Sequence, residues 1–350
     1  MNTVSVKASG NYDVLIGNNL LPDLGRHAKS ISHGSRVCIV SDSNVWPLYG
    51  KTASDSLLQS GFEVVHYIFE AGEASKNLHT YGDLLNFLAG NHITRSDLIV
   101  ALGGGVTGDL AGFAAATYLR GIPYIQIPTT LLAAVDSSVG GKTAIDLPGG
   151  KNLAGAFYQP KLVLCDTDCL NTLPDEVFRD GCAEVIKYGI LYDRQLFEDL
   201  CHTGLQFDRE KVIARCVELK RDVVAEDEFD TGARMQLNLG HTMGHAVESL
   251  SNFTISHGQA VAIGTAIIAS SGCAAGFCDP CTKERILSAL RIFGLPLGCD
   301  YSAGELCTAA LSDKKRSSNT IKLIIPREIG RCSIEPVSVT DLQSFIEAGL

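Results

Sequence analysis

The sequence predicts an α/β domain of Rossmann-like architecture over residues 1–175, followed by a mainly α-helical domain over residues 176–350. Three observations carry that prediction. Strand and helix signals alternate through the first half of the chain. A run of glycines joins an apolar strand to a small-residue helix near residue 104. Past about residue 175 the texture changes to long helical patterns.

Taken in order, MNTVSVKASGNYDVLIG alternates as a strand does from the outset. SRVCIVSD (residues 35–42) reads as a buried strand ending in Asp42, and FEVVHYIFE (62–70) as another. SKNLHTYGDLLNFLAGN reads as a helix, SDLIVALGGG (96–105) as a strand running into glycines, GDLAGFAAATYL as a helix, and PYIQIPTT as a further strand. Such alternation implies a largely parallel sheet. The second half carries the helical patterns RDGCAEVIKYGILYD, KVIARCVELKRDVVAED, LGHTMGHAVESL, GQAVAIGTAIIASSG and KERILSALRIFG, then TIKLIIP and GRCSIEPV as a short hairpin. A cleft between the two domains is the expected place for ligands.

A chain of 350 residues that is 45% hydrophobic and 19% charged can bury a large core. Its net charge of -10 argues against nucleic acid and anionic membrane surfaces as partners. No basic region precedes an apolar run at the N-terminus, so no signal peptide is expected. AVAIGTAIIASSGCAAG comes closest to a membrane span, but its small residues suit a tightly packed buried helix. The 12 cysteines, several in apolar runs (Cys38, Cys165, Cys182, Cys216), read as buried thiols of a reducing cytoplasm. CDPC (Cys278 to Cys281), with Cys273 just before it, is a C-x-x-C that leaves a redox or zinc role open, although no second C-x-x-C or paired His follows nearby.

LIVALGGGVTGDLAGFAA sets Gly103, Gly105 and Gly108 in a G-x-G-x-x-G frame. With a strand before it and a helix after it, this is the context of a dinucleotide pyrophosphate site, where backbone N–H groups at the helix start meet the anion. No acid caps a strand about 20 residues on, so Asp42 is the candidate partner for a ribose hydroxyl; it equally begins the turn SDSN. In AGEASK, Glu73 and Lys76 are candidates for the adenosine side, or members of a solvated helix cap.

Charged residues embedded in apolar sequence point further. Lys142 and Lys151 each follow paired glycines, and Asn152 follows the second lysine, which suits a phosphate or carboxylate. Glu184 and Lys187 sit three apart in an apolar helix, costly if buried unless a metal or ligand compensates. Lys220, Arg234 and Asn238 precede NLGHTMGHAVESL, in which His241, His245 and Glu248 share one helix face. His257 opens another apolar helix. One carboxylate and two imidazoles from three helices would make a zinc site with an open position, but spacing does not choose between His241 and His245.

Together, GGGVTGD, IPTTLLAAVDSSVGGKTAID, GKNLAGAFYQP, AEVIKYG, LNLGHTMGHAVE, HGQAVAIG and DKK resemble the 3-dehydroquinate synthase family of sugar phosphate cyclases, in the family's order over nearly the whole chain. The resemblance implies that Glu184, His241 and His257 hold a divalent metal, zinc or cobalt as its substitute, while His245 handles protons or hydrogen bonds near substrate. It implies substrate or phosphate contacts for Lys142, Lys151, Asn152, Lys187, Lys220, Arg234, Asn238 and Lys314. NAD contacts are implied for Asp42, Glu73, Lys76, Gly104, Gly105, Val106, Asp109, Thr129, Thr130, Asp136 and Thr172, with Lys142 and Lys151 shared. Arg120 would reach the phosphate site of a second subunit, which implies a homodimer. The implied reaction takes 3-deoxy-D-arabino-heptulosonate 7-phosphate to 3-dehydroquinate and phosphate. Other sugar phosphate cyclases and polyol dehydrogenases of the glycerol dehydrogenase type are the rival readings. The chain departs from the family's pattern at Ala71, at Cys169 and within LPDEVFRDG; none of these removes an implied ligand or cation.

Overall fold

The computed structural model describes residues 1–312 and 319–350. In chain order the elements are β1 (Asn2–Val6), β2 (Tyr12–Gly17), α1 (Leu24–Ile31), β3 (Arg36–Asp42), α2 (Trp46–Gln59), β4 (Glu63–Phe69), α3 (Leu78–Gly90), β5 (Leu98–Gly103), α4 (Gly105–Thr117), β6 (Tyr124–Pro128), β7 (Lys142–Leu147), β8 (Gly150–Phe157) and β9 (Leu162–Asp166). They continue as α5 (Asp175–Leu191), α6 (Arg194–Thr203), α7 (Arg209–Glu226), α8 (His241–Leu250), α9 (His257–Ala274), α10 (Pro280–Ile292), α11 (Ala303–Ser312), β10 (Thr320–Glu328), β11 (Arg331–Ser338) and α12 (Leu342–Glu347).

The chain divides into two compact units, one of residues 1–174 with 209–229, the other of residues 175–208 with 230–350. The first is built on a seven-stranded sheet of order β1-β2-β9-β6-β5-β3-β4. Only the β1–β2 pair is antiparallel. Alternation along each strand feeds two cores. Val37 and Ile39 of β3 join Leu24, Ala53 and Leu57 of α1 and α2 on one face. Cys38 and Val40 join Leu84 of α3 and Leu110, Ala111 and Ala114 of α4 on the other. Burial on both faces explains why these strands read as unbroken apolar runs. Strand order reverses between β3 and β5, so the carboxyl ends of those two strands flank the switch point where such sheets bind ligands.

Two features of this unit were not visible in the sequence. Residues 142–157 form an antiparallel hairpin, β7–β8, with Lys142 opposite Phe157. Helix α7, which reads as part of the second half, belongs to the first unit, where it covers β1, β2 and the turn at Ala133–Ser137. Its apolar residues Val212, Ile213, Cys216 and Val217 are buried there.

In the second unit α9 is the central helix, in contact with α5, α8, α10, α12 and β10. Its run Val261 to Ala269 is buried on all sides, which is why it looks like a membrane span in sequence. No described helix is long and apolar enough to cross a membrane. The twelve cysteines are free thiols, with Cys281 exposed, and CDPC belongs to no described cluster able to hold a metal.

Candidate functional site

Three helices of the second unit bring a carboxylate and two imidazoles together. Glu184 comes from the middle of α5, His241 from the first residue of α8 and His257 from the first residue of α9. Their ligand atoms lie within 4.8 Å of one another. Nε2 of His241 and Nε2 of His257 each stand 3.4 Å from Oε1 of Glu184. The outer nitrogen of His241, Nδ1, lies 3.0 Å from the Leu239 carbonyl oxygen. His245 stands one turn further along α8, its ring 5.6 Å from that of His241, and its ligand atom groups instead with those of Glu248 and His257.

Local sequence explains the convergence. Gly240 caps α8 with a left-handed φ of 78° and leaves no room for a side chain, since a Cβ there would sit 2.3 Å from Thr265 Oγ1. Asp180 lies one turn before Glu184 on α5, and its Oδ1 accepts from the Gln259 amide at 3.0 Å and from the Ser256 hydroxyl. It thereby caps α9 from a neighbouring helix, while the Ser256 side chain makes no cap of its own. Gly258 permits the approach: a Cβ would meet the Asp180 carbonyl oxygen at 1.9 Å. The α5–α9 contact that docks His257 thus also aligns Glu184.

The electrostatics divide the two imidazoles. Burial drives His241 down to about 3, against the pull of Glu184. Burial also opposes a proton on His257, but hydrogen bonds to Glu184 and Glu248 raise it to about 10. Two carboxylates touch His257, whereas the Lys187 charge opposes protonation of His241. Glu184 and Lys187 form an ion pair, each 1% exposed. Two imidazoles with one carboxylate are, once His257 gives up its proton, the donor set of a catalytic zinc site, and the residues present fit a divalent metal.

The first unit holds the glycine loop. Gly103 ends β5 and Gly104 starts α4 without any side-chain cap, leaving the amides at the helix start for an anion. Cβ atoms at Gly103 and Gly108 would fall 2.3 Å from Thr107 Oγ1 and 2.8 Å from Gln126 Oε1. Gly104, Gly105 and Val106 are half-buried, with Thr130 beside Gly104 and Ser137 beside Gly105. The Thr129 hydroxyl is buried with no hydrogen-bond partner among the described residues, and its amide donates to the Gly103 carbonyl. Asp42, at the end of β3 next to the loop, accepts from the Asn44 and Val45 amides and from Thr107. It therefore both opens its turn and faces the loop. An open cradle of amides and glycines fits a dinucleotide.

Lys76 is not the solvated cap residue that AGEASK allowed. It is 4% exposed, with Nζ 2.9 Å from Glu73, 3.3 Å from Asp109 and 2.8 Å from Asn152 Oδ1. Burial opposes its charge, but Asp109, Glu73 and Asp146 together hold it above the usual lysine range. Burial pushes Asp109 up to about 6. Glu73 also meets Lys151 at 3.3 Å and is held below its ordinary value by the two lysines, against burial. Asp146, which no motif singled out, accepts the Asn152 amide and stabilises its left-handed φ of 55°. Asp109, Lys142, Asn152 and Phe157 line a cavity of about 460 Å³. Lys220 is buried and bonds Asp136 through its side chain and its carbonyl.

The remaining candidates are placed as follows. Arg234 is buried and Asn238 half-buried in the second unit. Thr172 is exposed, its hydroxyl 2.5 Å from that of Tyr49. Arg120 is exposed, in a turn where Leu119 and Arg120 both adopt positive φ, 52° and 68°. Lys314 lies outside the described residues.

The family model described as 3-dehydroquinate synthase N-terminal matches residues 66–180, and that described as 3-dehydroquinate synthase C-terminal matches residues 181–316. A 3-dehydroquinate synthase from Pelobacter propionicus is 46% identical, covering 100% of this chain and 99% of its own. Among solved structures, 2-deoxy-scyllo-inosose synthase complexed with carbaglucose-6-phosphate, NAD+ and Co2+ superposes with a TM-score of 0.89 at 26% identity, over 100% of both chains. A 2-epi-5-epi-valiolone synthase from Streptomyces hygroscopicus with NAD+ and Zn2+ bound gives 0.89 at 26%, over 98% of both. Two adjoining family models and a relative matched from end to end establish that the chain belongs to the 3-dehydroquinate synthase family.

Proposed function

We propose that the protein is an NAD- and metal-dependent carbon–oxygen lyase that converts 3-deoxy-D-arabino-heptulosonate 7-phosphate to 3-dehydroquinate and phosphate. The sequence of events is transient oxidation, phosphate elimination, re-reduction and aldol cyclisation. The observation that carries the reading is the cluster of Glu184, His241 and His257 in a chain matched end to end by this family. The 26% identity to the other cyclases is well below the 46% to the 3-dehydroquinate synthase, which favours heptulosonate phosphate over their substrates.

A divalent metal at Glu184, His241 and His257 would supply Lewis acidity to a substrate hydroxyl, lowering its pKa. NAD at the Gly103–Gly108 loop would supply a hydride acceptor that becomes the donor again within one turnover. The protein's own groups bind and orient. Lys142, Lys151 and Asn152 at the β7–β8 hairpin suit an anionic group, as do Lys220, Lys187 and Arg234; Asn238 and Lys314 complete the proposed substrate set. His245 suits the phosphate or a proton near it, and elimination needs no strong protein base, because the departing phosphate can accept the proton itself.

We assign the nucleotide to Asp42, Glu73, Lys76, Gly104, Gly105, Val106, Asp109, Thr129, Thr130, Asp136 and Thr172. Support comes from the capless start of α4 and the buried Lys76 cluster beside the cavity. A homodimer is proposed on Arg120, whose exposed, positive-φ turn holds a cation outward at a cost in backbone strain. Twelve free thiols suit the cytoplasm.

The test is a turnover experiment. Zinc-loaded protein receives a trace of NAD and excess heptulosonate phosphate, and phosphate release is followed together with absorbance of reduced nicotinamide. Many phosphates per NAD without accumulating NADH is the expected result. NADH building up without phosphate would instead mark a dehydrogenase, and turnover only on other sugar phosphates a different cyclase.

A further inference from the structure

Glu248 lies three residues beyond His245 on α8 and has no part in the assignments above. It is 2% exposed, and its Oε2 stands 3.5 Å from Nδ1 of His257. On the other side of the same ring, Nε2 faces Glu184 at 3.4 Å. A neutral imidazole has one nitrogen with a lone pair and one that carries hydrogen, so a ligand must hold the right tautomer. A buried carboxylate at Nδ1 favours N–H there and leaves the Nε2 lone pair facing Glu184. The Leu239 carbonyl stands in the same relation to Nδ1 of His241.

We infer that Glu248 is a positioning residue of the metal centre, fixing the tautomer and ring orientation of His257 through its outer nitrogen. The inference rests on the metal reading of Glu184, His241 and His257. A different arrangement uses the same atoms: His245, Glu248 and His257 also lie within 4.8 Å of one another and could hold an ion themselves. In that arrangement Glu248 is a ligand of a second metal. The 3.5 Å approach of its carboxylate to the ring nitrogen favours the direct contact.

The two are separated by metal titration of the full chain. Metal-stripped protein is titrated with zinc against a chromophoric chelator, and the cobalt-loaded form gives a visible spectrum that reports ligand geometry. Wild type is expected to bind one equivalent. Glu248→Ala is expected to weaken zinc binding about 10–100-fold and to alter the cobalt spectrum. Glu248→Met, which fills the space but cannot accept a hydrogen bond, is expected to do the same and serves if the alanine variant does not fold. Far-UV circular dichroism and the urea midpoint check that the variants are folded. Zinc affinity within about twofold of wild type and an unchanged cobalt spectrum in a folded variant would overturn the inference. So would a second zinc equivalent in wild type that the variants lose. Glu184→Gln is the control for the underlying reading: if wild type binds no zinc, or this variant binds it unchanged, the metal assignment fails, and not merely the role of Glu248.

Discussion

His241 and His257 face the same carboxylate oxygen of Glu184 yet hold protons very differently. With His257 raised to about 10 from its ordinary 6.5, the metal-free cluster carries a proton there at neutral pH. A metal must displace it. Apparent zinc affinity should therefore rise about tenfold per pH unit between roughly pH 7 and pH 9, the direction that follows from deprotonating the ligand. A flat profile in chelator competition would mean that His257 is already neutral. The buried Glu184–Lys187 pair makes a second expectation. Lys187→Met leaves the carboxylate without its cation, so the metal-free protein should lose about 3–5 kcal/mol in urea unfolding, partly restored by saturating zinc. That both residues are buried was legible in sequence, from the apolar residues on either side. The choice between His241 and His245 was not, because both lie on one helix face and only the position of α5 distinguishes them.

At the scale of elements, α9 begins where α5 allows it to begin. Asp180→Ala removes an inter-helix cap and should cost about 1–2 kcal/mol in urea unfolding, with weaker zinc binding because His257 is the first residue of the helix. Gly258→Ala should cost about 1–3 kcal/mol, since the new methyl meets a carbonyl and the two helices must part. Unaltered zinc affinity in both variants would show that the helix start is held by other contacts. Period and punctuation made β3, β5, α4 and α9 readable in advance. The β7–β8 hairpin was not readable: Gly, Lys and Asn interrupt its alternation, and β8 has no buried residue, so its pattern looked like loop. Asp180 and Asp146 escaped notice for a related reason, since each acts on residues that only tertiary structure brings near.

At the scale of the whole molecule, the implied nucleotide residues lie in the first unit and the implied metal ligands in the second. Stripping the metal should abolish turnover while leaving NAD affinity, measured by calorimetry, within about threefold. A collapse of NAD binding on metal removal would show that the nucleotide site depends on the metal centre. The parallel sheet and its glycine loop were legible because both rest on local pattern. The assignment of α7 to the first unit was not, because a helix carries no mark of which surface it will cover.

That assignment has a consequence for how the protein is made. The first unit is discontinuous: its last helix is specified only after residues 175–208 have been written into the other unit. A ribosome that has released the first 174 residues has therefore produced a sheet with the outer pair β1 and β2 still uncovered and Asp136 still lacking Lys220. Folding of the amino-terminal half cannot be completed during synthesis until residue 229 has cleared the exit tunnel, and a gene fragment cut at the apparent boundary encodes an unfinished structure.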